Sequence, residues 1–225
     1  MYIGCQGWNQ KQALLRQELK ENNIEEAKII LQQLHSIVHT SEVYGTKSHS
    51  FMDEIWENLS EKAFRTMPSI DDVTIAWNIW HISRIEDLTS NILIANSEQI
   101  LNDVWVKRLN ISIRDTGNAM SKEEIVAFSS IVNLDELKQY RNSVGIRTIE
   151  IIKNINREDL KRKFTQLQLN RILTEGGLIE HPQSIWLLDF WGKKSVAGII
   201  LMPITRHQIV HLNDCNKLKR KSNKM

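Results

Sequence analysis

Three histidines are the residues of this chain whose type and spacing could bind a metal ion. His207 and His211 are four residues apart in a stretch expected to be helical. Residues at positions i and i+4 lie on one helix face, so both imidazoles can point at one atom. His81 lies far upstream in a second stretch expected to be helical. Imidazole is the commonest metal ligand, and three protein ligands with one open position are typical of a catalytic site. The spacing therefore favours a metal site at these three residues.

A few other side chains could support such a site. Asp214 follows His211 by one helical turn and could orient its ring through a hydrogen bond, as ligating histidines usually require. Trp77 precedes the upstream histidine by one turn and is the best candidate for a pocket wall. Arg84 and Arg206 could bind an anionic substrate group, although a surface salt bridge is the commoner role. The sequence assigns no catalytic residue and contains no glycine-rich phosphate loop that would bind an organic cofactor.

The same four-residue spacing occurs a second time, in His35 and His39. Its recurrence shows how easily such a pair arises, and packing on the surface or between helices is the expected role of both residues. His39 could still approach the metal site and hydrogen bond to one of its ligands. His49 and His181 lie near predicted helix ends or loops and are expected to be exposed.

Composition limits the class of protein. The chain has 225 residues, 41% of them hydrophobic and 25% charged, which is ordinary for a globular domain with a substantial core. With 29 Lys and Arg against 27 Asp and Glu, nothing favours binding to nucleic acid. Cys5 and Cys215 do not make a disulfide framework and are expected to be inert thiols. Residues 1–12 lack the apolar region of a signal peptide, and the apolar run at residues 196–204 is too short to span a membrane. A cytoplasmic location without membrane contact is the expectation.

The elements that must position the histidines are predicted to be long helices. Three prolines and nine glycines leave few interior breaks, and apolar residues recur with helical rather than alternating spacing. Gly145, inside one of these helices, indicates the close approach of a neighbouring helix. Pro203 is expected in the first turn of the last helix, where its missing amide donor costs least. The predicted long helices cover residues 41–61, 72–95, 134–155 and 203–218, and two short amphipathic helices are predicted before them at residues 10–20 and 24–38.

These helices predict an all-α fold, a four-helix bundle with additional N-terminal and connecting short helices. The expected division is an N-terminal helical extension at residues 1–40, the bundle at residues 41–217 and a basic, frayed tail at residues 218–225. Bundle cores hold metal ions on side chains that project inward from facing helices, so two different long helices can supply the three histidines.

Two segments carry a family resemblance. Residues 74–87 (TIAWNIWHISRIED) place one histidine after a tryptophan-rich turn, and residues 202–214 (MPITRHQIVHLND) place the His-x-x-x-His pair on the last helix. Together with the order of helices from near residue 40 to near residue 217, they resemble the DinB-like four-helix-bundle family of damage-inducible metalloenzymes.

The resemblance implies a divalent metal ion, most often zinc or nickel, held by His81, His207 and His211. Characterised members include transferases and isomerases that use low-molecular-weight thiols. The first hypothesis is therefore a metal-dependent enzyme, a thiol-dependent S-transferase or a hydrolase, acting on a small-molecule substrate as a monomer or a homodimer. The alternative is a non-catalytic bundle that contains a metal or binds a small molecule. The fourth coordination position discriminates between them, because a position left open favours the enzyme and a fourth protein ligand favours the alternative.

Overall fold

The computed structural model describes residues 7–222 of the chain, which fold into helices joined by loops. Within this range no strand forms, and an isolated bridge between Lys163 and Ser195 is the sole pairing of extended backbone. The prediction of an all-α fold is confirmed. A search of the same residues finds no helix that is both long and apolar enough to cross a membrane.

The helices alternate between long ones and short connecting ones. In chain order the α-helices are α1 (Trp8–Glu21), α2 (Ile24–Val38), α3 (Ser41–Tyr44), α4 (Phe51–Trp56), α5 (Glu61–Arg65), α6 (Ile75–Asp87), α7 (Asp103–Leu109), α8 (Lys122–Ile131), α9 (Leu134–Asn154), α10 (Gln166–Thr174), α11 (Pro182–Gly192), α12 (Val196–Leu201) and α13 (His207–Ser222). A π-helix at Leu88–Ile94 continues α6, and a second at Met202–Arg206 joins α12 to α13. A 3-10 turn lies at Asp159–Lys161.

The central helix of the bundle is α6, which packs against α9 on one side and α13 on another. The fourth member is α2, which contacts α9, α13 and the π-helix that precedes α13. The long helix predicted at residues 41–61 does not form, because left-handed backbone at Gly45 and Asn58 divides this stretch into the short α3, α4 and α5. Helix α1 packs along α2 and also reaches α12. The predicted four-helix bundle with additional short helices therefore describes the arrangement.

The N-terminal helices share the core of the bundle. Leu34 and Val38 of α2 have no exposed surface, and Leu15 of α1 is equally buried. At the other end, α13 continues through Leu218 to Ser222, across residues that the sequence assigns to the basic tail. The division at residues 40 and 217 stays a prediction.

Helix α6 is buried on nearly every side, because all of its residues except Trp77 are buried. Its polar side chains must therefore find partners inside the protein. Arg84 donates to Asp87 at 2.8 Å, and the Tyr140 hydroxyl donates to the same carboxylate at 2.6 Å. Neither role considered for Arg84, an anion-binding group or a surface salt bridge, fits this completely buried ion pair.

Pro203 lies in the first turn of the π-helix that leads directly into α13, so its predicted place at the start of the last helical segment is confirmed, although this first turn is a π-helix and not an α-helix. Proline removes an amide donor and leaves helix carbonyls without a partner, and the structure satisfies these with side chains. The Thr205 hydroxyl donates to Ile200 O at 2.9 Å, and Gln12 Nε2 of α1 donates to Leu201 O at 2.8 Å. The helical path to the histidine pair is therefore continuous, with one widened turn.

Candidate metal centre

The three predicted histidines converge between α6 and α13. One ring nitrogen from each of His81, His207 and His211 lies within 4.8 Å of the other two. The ring centroids are 5.0 Å apart for His81 and His207, 4.7 Å for His81 and His211, and 4.5 Å for His207 and His211. The structure thus brings together the whole set that the sequence predicts.

The spacing of the ring nitrogens suits a shared cation. His81 Nε2 lies 3.2 Å from His207 Nε2. Two nitrogens bound to one tetrahedral zinc ion are about 3.3 Å apart, since zinc–nitrogen bonds measure about 2.0–2.1 Å. The Nδ1 atom of His207 is buried without a hydrogen-bond partner. The donor set and its spacing therefore fit a divalent ion.

Oxygen atoms on two sides fix the orientation of two of the rings. His81 Nδ1 lies 2.8 Å from the carbonyl oxygen of Thr116, and His211 Nδ1 lies 2.6 Å from Asn78 Oδ1. An oxygen acceptor requires a protonated Nδ1, which leaves the lone pair on Nε2 for a metal ion. The residue that orients His211 is therefore Asn78 of α6 and not Asp214. Asp214 lies one step further away, where it accepts from Asn78 Nδ2 at 3.4 Å.

Burial keeps these imidazoles neutral. It lowers the pKa of His81 to about 3 and of His211 to about 4, and it also lowers the pKa of His207 well below the usual range. Neighbouring imidazoles add to the effect for His81 and His207, because two positive charges at this separation repel each other. A neutral ring is the form that binds a metal ion, so the set is ready to bind at neutral pH.

Trp77 forms a wall of the centre, as the sequence predicts. Its ring stacks on His81 with 4.7 Å between centroids and an angle of 8° between planes. Its Nε1 donates to the carbonyl oxygen of Gly117 at 3.1 Å. Gly117 has a φ of +73°, and a Cβ atom there would lie 2.8 Å from Trp77 Nε1. The loop that accepts from His81 thus also fixes the tryptophan beside it.

The centre has one side open to solvent. His81 is 3% exposed, whereas His207 and His211 are half-buried on α13. Among residues 7–222, no fourth histidine, cysteine, aspartate or glutamate joins this group. Cys215 is completely buried, and burial raises the pKa of its thiol, in agreement with an inert role. Cys5 lies outside the described residues.

The remaining histidines divide into two classes. His49 and His181 are exposed, as predicted. His35 and His39 are completely buried, so a surface position is wrong for both and they lie at an interface between helices. They face Glu86 of α6 and form a second group of three potential metal ligands within 4.8 Å of one another. The repeated His-x-x-x-His spacing was the available signal, but nothing in the sequence shows that Glu86 faces the pair.

The comparisons with known proteins agree with the geometry. A family model described as the DinB superfamily matches residues 47–215, which is about three quarters of the chain. The match includes all three histidines of the centre and begins after α2. No curated protein sequence matches the chain significantly. Helix order, histidine positions and the family match lead to one assignment, that the chain belongs to the DinB superfamily.

Proposed function

We propose that this protein is a metal-dependent enzyme whose centre is formed by His81, His207 and His211. The observation that carries the proposal is the convergence of three neutral imidazoles on one point, with a half-exposed side and no fourth side-chain ligand among residues 7–222. Structural zinc sites are closed by four protein ligands, whereas catalytic sites keep a position for water or substrate. The arrangement therefore supports catalysis over a purely structural role.

The proposed reaction is transfer of a low-molecular-weight thiol to an electrophilic small molecule. Hydrolysis is the corresponding reaction when water takes the place of the thiol. A divalent ion, zinc or nickel, would lower the pKa of such a ligand and make it a nucleophile near neutral pH. A fold does not fix a reaction, so the choice between the two reactions would depend on the side chains that contact the substrate and not on the bundle.

The residues of the chain have separate roles in this proposal. Thr116 O and Asn78 Oδ1 hold the Nε2 atoms of His81 and His211 toward the shared point. Trp77 covers one face of His81 and keeps water from that side. A substrate would approach along the half-exposed surface of α13, where Arg206 is exposed next to His207.

The test begins with the metal. The full chain, purified without a nickel column, is expected to contain a stoichiometric divalent ion by elemental analysis. Thiol conjugation is then measured with a reporter such as a chlorobimane and each of several low-molecular-weight thiols, and hydrolysis is measured with activated esters. Turnover by the wild-type protein and none by His211→Ala would support the proposal, and the exposed His49→Ala is the matched control.

Two results would contradict it. A metal-free protein that still turned over substrate would remove the metal from the mechanism. A fully loaded protein whose fourth position is closed by a protein ligand, with no turnover of either substrate class, would favour the non-catalytic alternative.

A further inference from the structure

A second polar cluster lies sealed between α2 and α6. His35 Nε2 is 2.8 Å from Glu86 Oε1, and His39 Nε2 is 2.9 Å from Glu86 Oε2. All three side chains have no exposed surface. The rings of His35 and His39 stack with 4.2 Å between centroids. Two helices therefore place two imidazoles on one carboxylate in the interior of the bundle.

Among residues 7–222, no lysine or arginine lies within salt-bridge distance of the Glu86 carboxylate, whose direct partners are His35 and His39. Although burial alone would raise its pKa, His39 and His35 hold it well below the usual range, so Glu86 is ionised. Burial lowers the pKa of His39 to about 3, which makes that ring neutral. Breaking a buried charge pair is strongly destabilising, so a cation between the two imidazoles and the carboxylate would be favoured by the charge of Glu86.

Arg141 is the buried cation of this region, but it bonds elsewhere. Its Nη2 donates to Val38 O at 2.7 Å and to Gln208 Oε1 at 3.0 Å. Glu86 and Arg141 attract each other electrostatically. No salt bridge joins these two side chains within residues 7–222. Arg141 thus balances the charge from a distance and leaves the carboxylate oxygens to the imidazoles.

The surroundings of the cluster are built to hold the two rings. The Tyr44 hydroxyl lies 2.8 Å from His35 Nδ1. On the other side α9 approaches so closely that a Cβ atom at Gly145 would clash with His39 Nδ1. This contact confirms the close approach predicted at Gly145. The Nδ1 atom of His39 is buried without a hydrogen-bond partner.

We propose that His35, His39 and Glu86 form a second binding site for a divalent transition-metal ion. Two imidazoles and one carboxylate are an established donor set for zinc and for ferrous iron. Ligand atoms that meet at right angles around a six-coordinate ion such as ferrous iron, with bonds of about 2.1 Å, are about 3.0 Å apart. The nitrogen–oxygen separations of 2.8 and 2.9 Å agree with this value.

Without an ion, each imidazole donates from Nε2 to a Glu86 oxygen. A bound ion would replace these protons and take the two Nε2 lone pairs, with the remaining ring proton on Nδ1. His35 Nδ1 then donates to the Tyr44 hydroxyl, which keeps its own proton because burial and Glu86 raise the pKa of Tyr44. A hydrogen bond of this kind on the outer nitrogen is the usual companion of a ligating histidine.

The sealed position suggests a structural ion. Helix α2 lies before the residues that the family model matches, whereas Glu86 lies on the central helix within them. An ion at this site would fasten α2, and with it α1, to the central helix α6. Because the site is closed, we expect the ion to enter during folding and to exchange slowly.

Metal stoichiometry tests the proposal. The full chain is produced in cells supplied with zinc, cobalt, manganese or iron in turn, purified without metal affinity, and analysed for metal per chain. We expect two ions in the wild-type protein and one in His211→Ala, which leaves the sealed cluster intact. Glu86→Gln is expected to keep one ion, and the double variant none. Glu123→Gln, an exposed carboxylate on α8, is the matched control with two.

The outcomes separate the two sites. A folded His211→Ala chain without metal, under all four supplies, would overturn the second site whatever the fate of the first. A wild-type chain with one ion that Glu86→Gln also retains would assign Glu86 to a hydrogen-bonded network without metal. Because Glu86→Gln can fail to fold, cobalt-loaded His211→Ala is also examined by absorbance. Absorption bands of coordinated cobalt in that variant support the site, and their absence overturns it.

Discussion

Two histidine clusters in one bundle use the same His-x-x-x-His spacing and have opposite surroundings. The pair on α13 is half-exposed and meets a third imidazole from α6. The pair at the C-terminal end of α2 is completely buried and contacts the carboxylate of Glu86, which lies on α6 five residues after His81. The comparison shows that the spacing only places two rings on one face. The third residue and the access of solvent then decide between open coordination and a closed interior cluster.

The largest expected effect is the loss of metal from the open centre when one of its histidines is replaced. His81→Ala and His211→Ala should each abolish metal binding at the open centre, since three-ligand sites rarely tolerate the loss of one ligand. Helix content should stay close to that of the wild type by circular dichroism. Elemental analysis checks the metal, and full retention in either variant would remove that histidine from the centre.

Acid should destabilise the metal-free protein through both clusters. Burial lowers the pKa of His81 and His39 to about 3 and that of His211 to about 4, against about 6.5 in the unfolded chain. The unfolded state therefore binds more protons below pH 6.5. Stability is fully present above that pH and is lost as pH falls toward 4, by about 1.4 kcal/mol per pH unit for each such histidine.

Urea unfolding of protein from which metal has been removed with a chelator, between pH 7.5 and 4.5, measures this loss of stability. The slope of the free energy of unfolding against pH gives the number of protons taken up on unfolding. His39→Gln and His211→Gln should each reduce this number by about one, which divides the effect between the sealed and the open cluster. A free energy of unfolding that does not change across this range would show that neither set of imidazoles is held neutral in the fold.

Removal of the group that orients His211 should weaken the open centre without abolishing it. In Asn78→Ala the His211 ring loses its acceptor, and we expect metal affinity to fall by about 10–100-fold. Asp214→Ala removes only the more distant contact and should change affinity less. Competition with a chromophoric chelator gives both values. Equal losses in the two variants would contradict the assignment of Asn78 as the direct partner.

The smallest expected effect concerns the sealed cluster. Gly145→Ala places a methyl group against His39, and overpacking of this kind costs about 1–3 kcal/mol. The metal content of the open centre should not change. Gln139→Ala, exposed on the same helix, is the control for α9. Chemical unfolding measures the cost, and an unchanged or higher stability would show that the contact relaxes without strain.

The sequence predicts the open centre well because its information is local. The bounds of α2 agree with the prediction, those of α9 differ by one residue, and the three histidines fall on the faces that their spacing indicates. The sealed cluster could not be predicted, because Glu86 faces α2 only through the packing of two helices far apart in sequence. The hydrogen bond of Asn78 to His211 could not be predicted for the same reason, since the two residues lie on different helices. The π-helical turn around Pro203 could not be predicted either, because the spacing of residues does not reveal a widened turn.

The widened turn at Met202–Arg206 limits which related sequences can form the same centre. Each residue of an α-helix advances the side-chain direction by about 100°, so one residue removed from Met202–Arg206 would rotate everything that follows. His207 and His211 would keep their mutual spacing and yet both turn away from His81. The length of chain between α12 and the histidine pair therefore sets the phase of the pair. In a relative with the same two histidines and a shorter link, the motif would survive and the centre would not form.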